Sequence, residues 1–448
     1  MRRVAAFPRR KHGFLLVELR ICGANSVLKI TFLRDSLVAF SIYHISSLPT
    51  TVSPRNKHFP ALDGLRGLAA LMVVLHHSAF SYWMTDTFDK AYLRATSLLW
   101  VGVDLFFVLS GFLITNILLE TRNAKGYYRA FYGRRFLRIF PLYYAFLAAV
   151  YFLFPLLGGE LTPSMRDVEP WQWTYTTNIY AAILGAMPDH NVSQSWTLAI
   201  EEQFYLLWPL IIFLLPKERI TRTVLALFLL VPALRAISWA LGATPFFLCT
   251  ITYCRLDCLF LGALLSAMVH NGLLERVKQP RVAITLRWLD RGLFIGTTVF
   301  VAVYCLVLRN DQFRFDVLTW PWYGQIFGLS IVAIPLGYAV FRCVTPETNW
   351  LQRTMTRRFL SSIGKYSYAL YVLHAPICYW AGVHLPIPQA FLLLPPKWQC
   401  IRAIYIILSE IILSLFAAVI SWNLLEKHFL KLKKYFPYQA SKADIVSA

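Results

Sequence analysis

Charged residues are scarce in this sequence, and acidic residues are scarcer still. Asp, Glu, Lys and Arg make up 15% of the 448 residues, with 23 acidic side chains against 44 basic ones, whereas hydrophobic residues make up 57%. With a mean hydropathy of +0.53, the chain is too apolar for an ordinary soluble protein, and we expect an integral membrane protein. The net charge of +21 could indicate nucleic-acid binding, but the basic residues fall in short clusters between apolar stretches. We therefore expect no nucleic-acid partner.

Cysteine patterns typical of metal sites are also missing. The eight cysteines lie mostly in apolar stretches, with no CxxC pair and no partnering His at the spacing of a zinc site. Residues 254–258 bring two cysteines close together, but no fourth ligand type lies nearby. We predict that the cysteines are small packing residues and that the protein holds no metal and no bound cofactor.

Long apolar runs are absent from the first 57 residues, which are basic and contain only short apolar segments. Because a spanning helix needs about 20 apolar residues, residues 1–57 are predicted to be a cytoplasmic extension, partly disordered or interfacial. A misassigned start is the alternative, since no methionine lies between Met1 and Met72. The remainder divides into a membrane domain at 58–430 and a short cytoplasmic tail at 431–448.

Ten apolar windows of about 19 residues follow this extension, each suited to a helix that crosses a bilayer. They cover residues 61–81, 98–120, 139–157, 196–215, 223–242, 257–273, 292–308, 322–341, 359–381 and 401–424. A further stretch at 174–187 is short and begins with polar residues, so we predict a loop or a re-entrant segment. The expected fold is all-α, a polytopic membrane protein with about ten transmembrane helices.

Alternate loops between these windows differ in their content of Lys and Arg. The loops on one side are rich in basic residues: Arg122, Lys125, Arg129, Arg134, Arg135, Arg138, Lys217, Arg219, Arg222, Arg276, Lys278, Arg281, Arg287, Arg291, Arg342, Arg353, Arg357, Arg358, Lys427, Lys431, Lys433 and Lys434. The opposite loops contain few: Lys90, Arg94, Arg166, Arg255, Arg309, Arg314 and Lys397. Since basic loops stay in the cytoplasm, an even number of spans places both termini there.

Arg66 and His77 lie inside the first predicted span, where burial of an ionisable side chain is unfavourable enough to make each a functional candidate. Arg66 and His77 are eleven residues apart, close to three helical turns. They should therefore share one face, about 16 Å apart along the axis. We expect Arg66 near the cytoplasmic end and His77 toward the outer end.

Three carboxylates are predicted in the outer half of the bilayer, near the depth of His77. Asp104 lies in span two, and Glu201 and Glu202 lie near the outer start of span four. A carboxylate that orients a histidine and stabilises its protonated form suits general base catalysis. The alternative is that these groups pair only to hold the helices together.

Three arginines precede the apolar part of the third span: Arg134, Arg135 and Arg138. If the segment is already helical, Arg135 and Arg138 project from one side, and two guanidinium groups can bind phosphates bidentately. Membrane topology alone also produces arginine-rich loops, but Arg66 is expected near the same depth. Basic residues near the cytoplasmic side, with a histidine and carboxylates nearer the outer side, suit a cytoplasmic thioester donor and an external acceptor. A lipid-linked phosphate substrate is the open alternative.

Five motifs in order resemble acyltransferase family 3, the membrane O-acyltransferases of the O-antigen, peptidoglycan and exopolysaccharide acetylase type. The likeness runs from about residue 59 to residue 429. The family's Arg, ten residues, His pattern falls on Arg66 and His77, and its Arg-x-x-Arg pattern falls on Arg135 and Arg138. The other matching segments are residues 106–112, 364–376 and 196–205, the last with Thr197 in place of the usual Ser.

The resemblance implies a ten-helix enzyme of the inner (plasma) membrane that takes an acyl group, by expectation acetyl, from cytoplasmic acetyl-CoA or another acyl-CoA as co-substrate. The implied acceptor is a hydroxyl of an envelope or exported carbohydrate, such as lipopolysaccharide, exopolysaccharide or a lipid-linked glycan. His77 would deprotonate this hydroxyl, supported by Glu201 with Glu202 beside it. The implied donor-binding residues are Arg66, Arg134, Arg135 and Arg138. Supporting positions are Asp104, Ser110, Trp196, Tyr368 and His374.

Some family members carry a C-terminal hydrolase-like domain, which we expect to be absent because the sequence ends at Ala448, soon after the last predicted span. Two other classes stay open. A glycosyltransferase or ligase acting on lipid-linked sugars would show an acidic metal-binding loop or a large external loop. A transporter that used Arg66, His77 and Glu201 as a proton relay would show internal repeats with matching broken helices. Neither signal is evident, and the acceptor and the oligomeric state stay open.

Overall fold

The computed structural model describes the chain in several stretches and divides it into two units. The described residues are 6–11, 14–20, 26–32, 38–44, 59–78, 92, 95–189, 191–307, 317–385 and 399–438. The first unit comprises residues 1–53 with 439–448, and the second comprises residues 54–438.

A four-stranded antiparallel sheet forms the described part of the first unit. Its strands are β1 Ala6–Lys11, β2 Phe14–Arg20, β3 Ser26–Phe32 and β4 Val38–His44, which pair in the order β1-β2-β3-β4. The composition of residues 1–57 predicts a partly disordered or interfacial extension, and the strands are an unexpected feature. The apolar runs are too short to span a bilayer, but their length suits strands of this size.

The second unit is all helical among its described residues. Its longer helices are α1 Pro60–Ser78, α2 Val101–Thr121, α3 Tyr127–Ala148, α4 Pro163–Trp173, α5 Thr177–Leu184, α6 Ser195–Leu214, α7 Lys217–Ala240, α8 Thr252–His270, α9 Pro280–Val307, α10 Leu329–Val344, α11 Arg358–His384 and α12 Gln399–Ser421. Shorter helical segments lie between or after them: Ser97–Trp100, Ala149–Leu153, Phe154–Leu156, Pro245–Thr250, Leu273–Val277, Val317–Thr319, Gly324–Gly328, Trp350–Met355, Trp422–Glu426, Lys427–Lys431 and Leu432–Tyr435.

Seven helical segments of the described chain are long and apolar enough to cross a membrane. They are Ser97–Thr121, Tyr127–Leu156, Ser195–Leu214, Lys217–Ala240, Pro245–His270, Gly324–Val344 and Ile401–Tyr435. The other three predicted spans fall on α1, α9 and α11, which are helical but are not among the seven. The polytopic all-α prediction is confirmed for the second unit, whereas ten spans and cytoplasmic termini stay predictions.

Two local expectations differ from the structure. The stretch 174–187, predicted to be a loop or a re-entrant segment, contains the eight-residue helix α5. Arg255 was counted among the outer loops but lies inside α8 with only 3% of its surface exposed. By contrast, α3 begins at Tyr127. Arg134, Arg135 and Arg138 therefore lie in a helix, which is the condition for Arg135 and Arg138 to project from one side.

Glycines allow the helices around the centre to pack backbone to backbone. The most extensive contacts join α1 to α11 and α2 to α8. A Cβ atom at Gly364 of α11 would lie 1.9 Å from the carbonyl oxygen of Asp63, and one at Gly111 of α2 would lie 2.0 Å from that of Leu259. Only glycine permits such close approach, as is common in membrane helix pairs. These crossings determine where the polar residues of α1 and α2 lie.

Buried ion pairs and hydrogen bonds connect α2, α7, α8 and α10. Arg235 of α7 and Asp257 of α8 lie 2.9 Å apart with fully buried side chains, and Arg255 donates a hydrogen bond to Asp104 of α2. Arg235 also donates to the hydroxyl oxygen of Ser330 in α10. Charges inside an apolar bundle need partners of this kind, so these residues hold the helices in register.

Candidate active site

A cavity of about 520 Å³ lies between α1, α2, α3, α6, α11 and the segment that follows α12. Its basic lining residues are Arg66, Arg134, Arg135, Arg138, Lys365 and Lys433. Its acidic lining residues are Asp63 and Glu201. The structure thus brings together all four arginines that were predicted to bind the donor.

Three of these arginines form no direct ion pair, although the carboxylates of Asp63, Glu201 and Glu426 lie near enough to interact with them electrostatically. Arg66, Arg135 and Arg138 are half-buried, and none of them makes a hydrogen bond or an ion pair with another residue in the part of the chain that the structure describes. Guanidinium groups removed from bulk water are unfavourable without a counter-charge. An anion held between their forked N–H groups would supply it.

Glu201 is held by hydroxyl groups inside this cavity. Ser110 of α2 donates to its Oε1 at 2.8 Å, and Tyr205, one turn further along α6, donates to its Oε2 at 3.1 Å. The guanidinium of Arg135 lies 5.0 Å from the centre of the Tyr205 ring. Glu201 therefore lies in the same cavity as the arginines.

His77 lies toward the other end of α1 and does not line the cavity. Its Nδ1 is 2.9 Å from the carbonyl oxygen of Val73, which can only accept, so Nδ1 carries the proton and Nε2 holds the lone pair in the neutral ring. The ring of His77 meets that of His374 edge to face, with centroids 4.7 Å apart. This tautomer places the basic nitrogen on the side of the ring opposite Val73.

The predicted support of His77 by Glu201 is not formed. Both carboxylate oxygens of Glu201 accept from Ser110 and Tyr205, and no hydrogen bond or ion pair joins Glu201 to His77 among the described residues. The prediction assumed that similar depth in the bilayer brings two side chains together. Depth does not determine the direction in which each side chain points from its helix.

A hydrogen-bonded pair at the cavity wall lies between the arginine cavity and the two histidines. Thr197 of α6 and Tyr371 of α11 both line the cavity and are hydrogen bonded to each other. The centroids of the Tyr371 and His374 rings are 5.6 Å apart, and the His374 ring in turn contacts His77. The ring contacts that lead from the cavity to His77 therefore pass through Tyr371 and His374.

The other predicted positions have different surroundings. Glu202 is half-buried, does not line the cavity and has no hydrogen-bond partner among the described residues. Asp104 pairs with Arg255, whose guanidinium lies 5.9 Å from the centre of the Trp196 ring, and neither Asp104 nor Trp196 lines the cavity. Tyr368 lines the cavity and donates to the carbonyl oxygen of Ile139 at 2.7 Å.

Several cavity residues were not selected from the sequence: Tyr205, Lys365, Tyr371, Lys433 and Tyr438. Tyr205 and Tyr371 lie inside the recognised segments 196–205 and 364–376, but nothing in those segments singles them out. Lys433 was counted only as a marker of a cytoplasmic loop. No local pattern distinguishes a cavity lysine from a solvated one, because the difference depends on what the segment packs against.

The helical fold, with its basic cavity and a histidine pair, defines a polytopic membrane protein. Residues 59–431 match the family described as an acyltransferase domain, acyltransferase family 3, and the chain belongs to this family. It is a multi-pass protein of the plasma membrane. The match confirms the family that the sequence motifs indicated.

Similar proteins include peptidoglycan O-acetyltransferase OatA of Listeria monocytogenes, which is 29% identical over 77% of this chain and 52% of the relative. Putative peptidoglycan O-acetyltransferase YrhL of Bacillus subtilis is 25% identical over 83% of this chain and 55% of its own length. O-acetyltransferase OatA of Staphylococcus aureus is 28% identical over 84% and 57%. The chain thus spans a little over half the length of these relatives. No solved structure matches it.

Proposed function

We propose that this protein is an O-acetyltransferase that moves an acetyl group from acetyl-CoA to a hydroxyl of a cell-wall carbohydrate. The main support is the group of three half-buried arginines that have no ion pairs within the described chain and line a cavity of about 520 Å³. CoA carries a pyrophosphate and a separate 3′-phosphate, and guanidinium forks bind phosphate oxygens bidentately. The donor's phosphates would lie against Arg66, Arg135 and Arg138.

The thioester end of the donor would extend from the arginines toward His77. Both Arg66 and His77 are on the unbroken helix α1, about 16 Å apart along its axis, a distance that the pantetheine arm of CoA can bridge. Tyr371 and Thr197 lie at the cavity wall on this route. The arm would pass these two residues before the thioester reached the histidine.

The chemical step follows from the tautomer of His77. Its Nε2 would take the proton of the acceptor hydroxyl as that oxygen attacks the thioester carbonyl carbon. The C–S bond then breaks, the acetyl group stays on the sugar oxygen, and the proton passes from His77 to the CoA thiolate. Val73 would keep the ring in this orientation through its carbonyl oxygen, 2.9 Å from Nδ1.

The acceptor class is proposed from the relatives. Two of the similar proteins are named as peptidoglycan O-acetyltransferases, which favours peptidoglycan over lipopolysaccharide or exopolysaccharide. The acceptor would approach His77 from outside the cell, on the side opposite the arginine cavity.

Transfer of labelled acetyl from acetyl-CoA to peptidoglycan fragments tests this proposal in membranes that contain equal amounts of each variant. We expect His77→Ala to lower transfer by about 100-fold or more, since general base catalysis contributes about 10²–10⁴-fold. His428→Ala is the matched control, because His428 is an exposed histidine outside the cavity. Equal labelling by wild type and His77→Ala would remove His77 from the mechanism. Transfer to another glycan but not to peptidoglycan would correct the acceptor.

A further inference from the structure

The segment after α12 returns to the cavity and forms part of its wall. It comprises Trp422–Glu426, Lys427–Lys431 and Leu432–Tyr435, and its last described residue is Tyr438. Lys433 and Tyr438 line the cavity together with the arginines of α3. The segment therefore contributes side chains to the same cavity, although residues 431–448 were predicted to be only a short cytoplasmic tail.

Specific contacts hold this segment against α3. The Phe436 ring packs on Gly133, where an added Cβ would lie 2.2 Å from a ring carbon. Arg134 Nε donates to the carbonyl oxygen of Phe436 at 2.7 Å, and its guanidinium lies 5.0 Å from the centre of the Tyr438 ring. Burial raises the pKa of the Tyr438 phenol, so Tyr438 stays neutral beside the arginines. These contacts hold the segment that carries Lys433 against α3.

Lys433 differs from the lysines next to it. Its side chain is half-buried, whereas Lys431 and Lys434 are exposed. Lys433 interacts electrostatically with Arg138 and Arg135, and no ion pair to it is formed within the described part of the chain. A further cation in an arginine cluster is unfavourable by Coulomb repulsion unless an anion lies between the charges. The arrangement suits a ligand with more than one phosphate.

We propose that Lys433 binds the 3′-phosphate of CoA while the arginines hold the pyrophosphate; this inference rests on the proposed function. The arginine forks match the two adjacent phosphates of a pyrophosphate, and the lysine supplies a single flexible point charge for a phosphate apart from them. The donor site is thus shared between α1, α3 and the segment after α12. Lys433 makes this site selective for CoA over dephospho-CoA.

Equilibrium binding of labelled CoA and of dephospho-CoA to the full chain in nanodiscs of zwitterionic lipid tests the assignment. We expect Lys433→Gln to weaken CoA binding by about tenfold or more, as for loss of a charge-assisted hydrogen bond, and to leave dephospho-CoA binding unchanged. The exposed neighbour provides the control Lys434→Gln, which should bind both ligands as the wild type does. Lys433→Arg keeps the charge and should recover most of the CoA affinity. Size-exclusion profiles establish that each variant is folded.

Each other outcome contradicts a different statement. Equal CoA affinity of Lys433→Gln and Lys434→Gln would overturn the role of Lys433 while leaving acetyl-CoA as the donor. If Lys433→Gln weakens the binding of CoA and of dephospho-CoA equally, Lys433 binds the pyrophosphate, and the 3′-phosphate assignment is wrong. If wild type binds no CoA, the proposed donor itself is wrong. If Lys433→Gln alters CoA binding only in nanodiscs that contain phosphatidylglycerol, an anionic lipid headgroup occupies the lysine and the inference is wrong.

Discussion

His77 and His374 contact each other edge to face, with ring centroids 4.7 Å apart and ring planes inclined at 74°. His374 is fully buried, and its Nδ1 lies 2.7 Å from the carbonyl oxygen of Tyr371, so that nitrogen carries the proton. Its Nε2 has no hydrogen-bond partner within the described chain. Since the two rings come from α1 and α11, the close packing of these helices determines how the His77 imidazole is oriented.

Replacing His374 should impair the chemical step without affecting donor binding. We expect His374→Ala to lower the kcat of acetyl transfer about tenfold, because His77 loses the ring that orients it. The Kd for CoA should not change, since His374 does not line the cavity. Measuring kcat and the Kd for CoA on the same variant separates these effects. His384→Ala is the control, because His384 is an exposed histidine of the same helix. A parallel loss of CoA affinity would indicate general disruption instead.

The hydroxyl of Thr197 is expected to stabilise the wall between the cavity and the histidines. Thr197 donates to the carbonyl oxygen of Gln194 at 3.0 Å, so its one hydrogen is used and Tyr371 must donate to it. Thr197→Val leaves the buried Tyr371 hydroxyl without an acceptor, which should lower the free energy of unfolding by about 1–3 kcal/mol. Thr197→Ser retains the acceptor and should unfold near the wild-type temperature. Similar thermal unfolding of both variants would argue against the hydrogen bond.

The two adjacent glutamates should differ in importance. Glu201→Gln places an amide where Ser110 and Tyr205 donate hydrogen bonds, and it removes a negative charge from the arginine cavity. We expect acetyl transfer to fall at least tenfold, while CoA binding stays equal or becomes tighter because the cavity becomes more positive. Glu202→Gln should reduce transfer less, since Glu202 lies outside the cavity. A larger loss for Glu202→Gln would reverse this assignment.

Gly364→Ala should destabilise the protein by forcing α1 and α11 apart. Its Cβ would lie 1.9 Å from the carbonyl oxygen of Asp63, a backbone atom that cannot turn away. Overpacking of this kind reduces stability by about 1–3 kcal/mol or more. Gly292→Ala in α9 is the comparison, because an added Cβ there meets nothing within 4 Å. Equal thermal unfolding of the two variants would show that the helices adjust without strain.

The sequence was sufficient for those features that depend on one segment at a time. Apolar windows predicted the helical membrane fold, and a spacing of eleven residues placed Arg66 and His77 on one helix. The arginines of α3 were also found, because a spacing of three residues places Arg135 and Arg138 on one side of a helix. Each of these inferences needs only the period of a helix and the polarity of its neighbours.

Tertiary structure decided which residues meet across helices. Glu201 pairs with Ser110 rather than with His77, Arg255 pairs with Asp104 inside the bundle, and Lys433 reaches the arginine cavity from a segment that resembled a tail. The reason is geometric: depth and charge follow from sequence position, but the direction of a side chain depends on the rotation and crossing of its helix. Those are determined by backbone contacts at glycines such as Gly364, which join residues far apart in the chain.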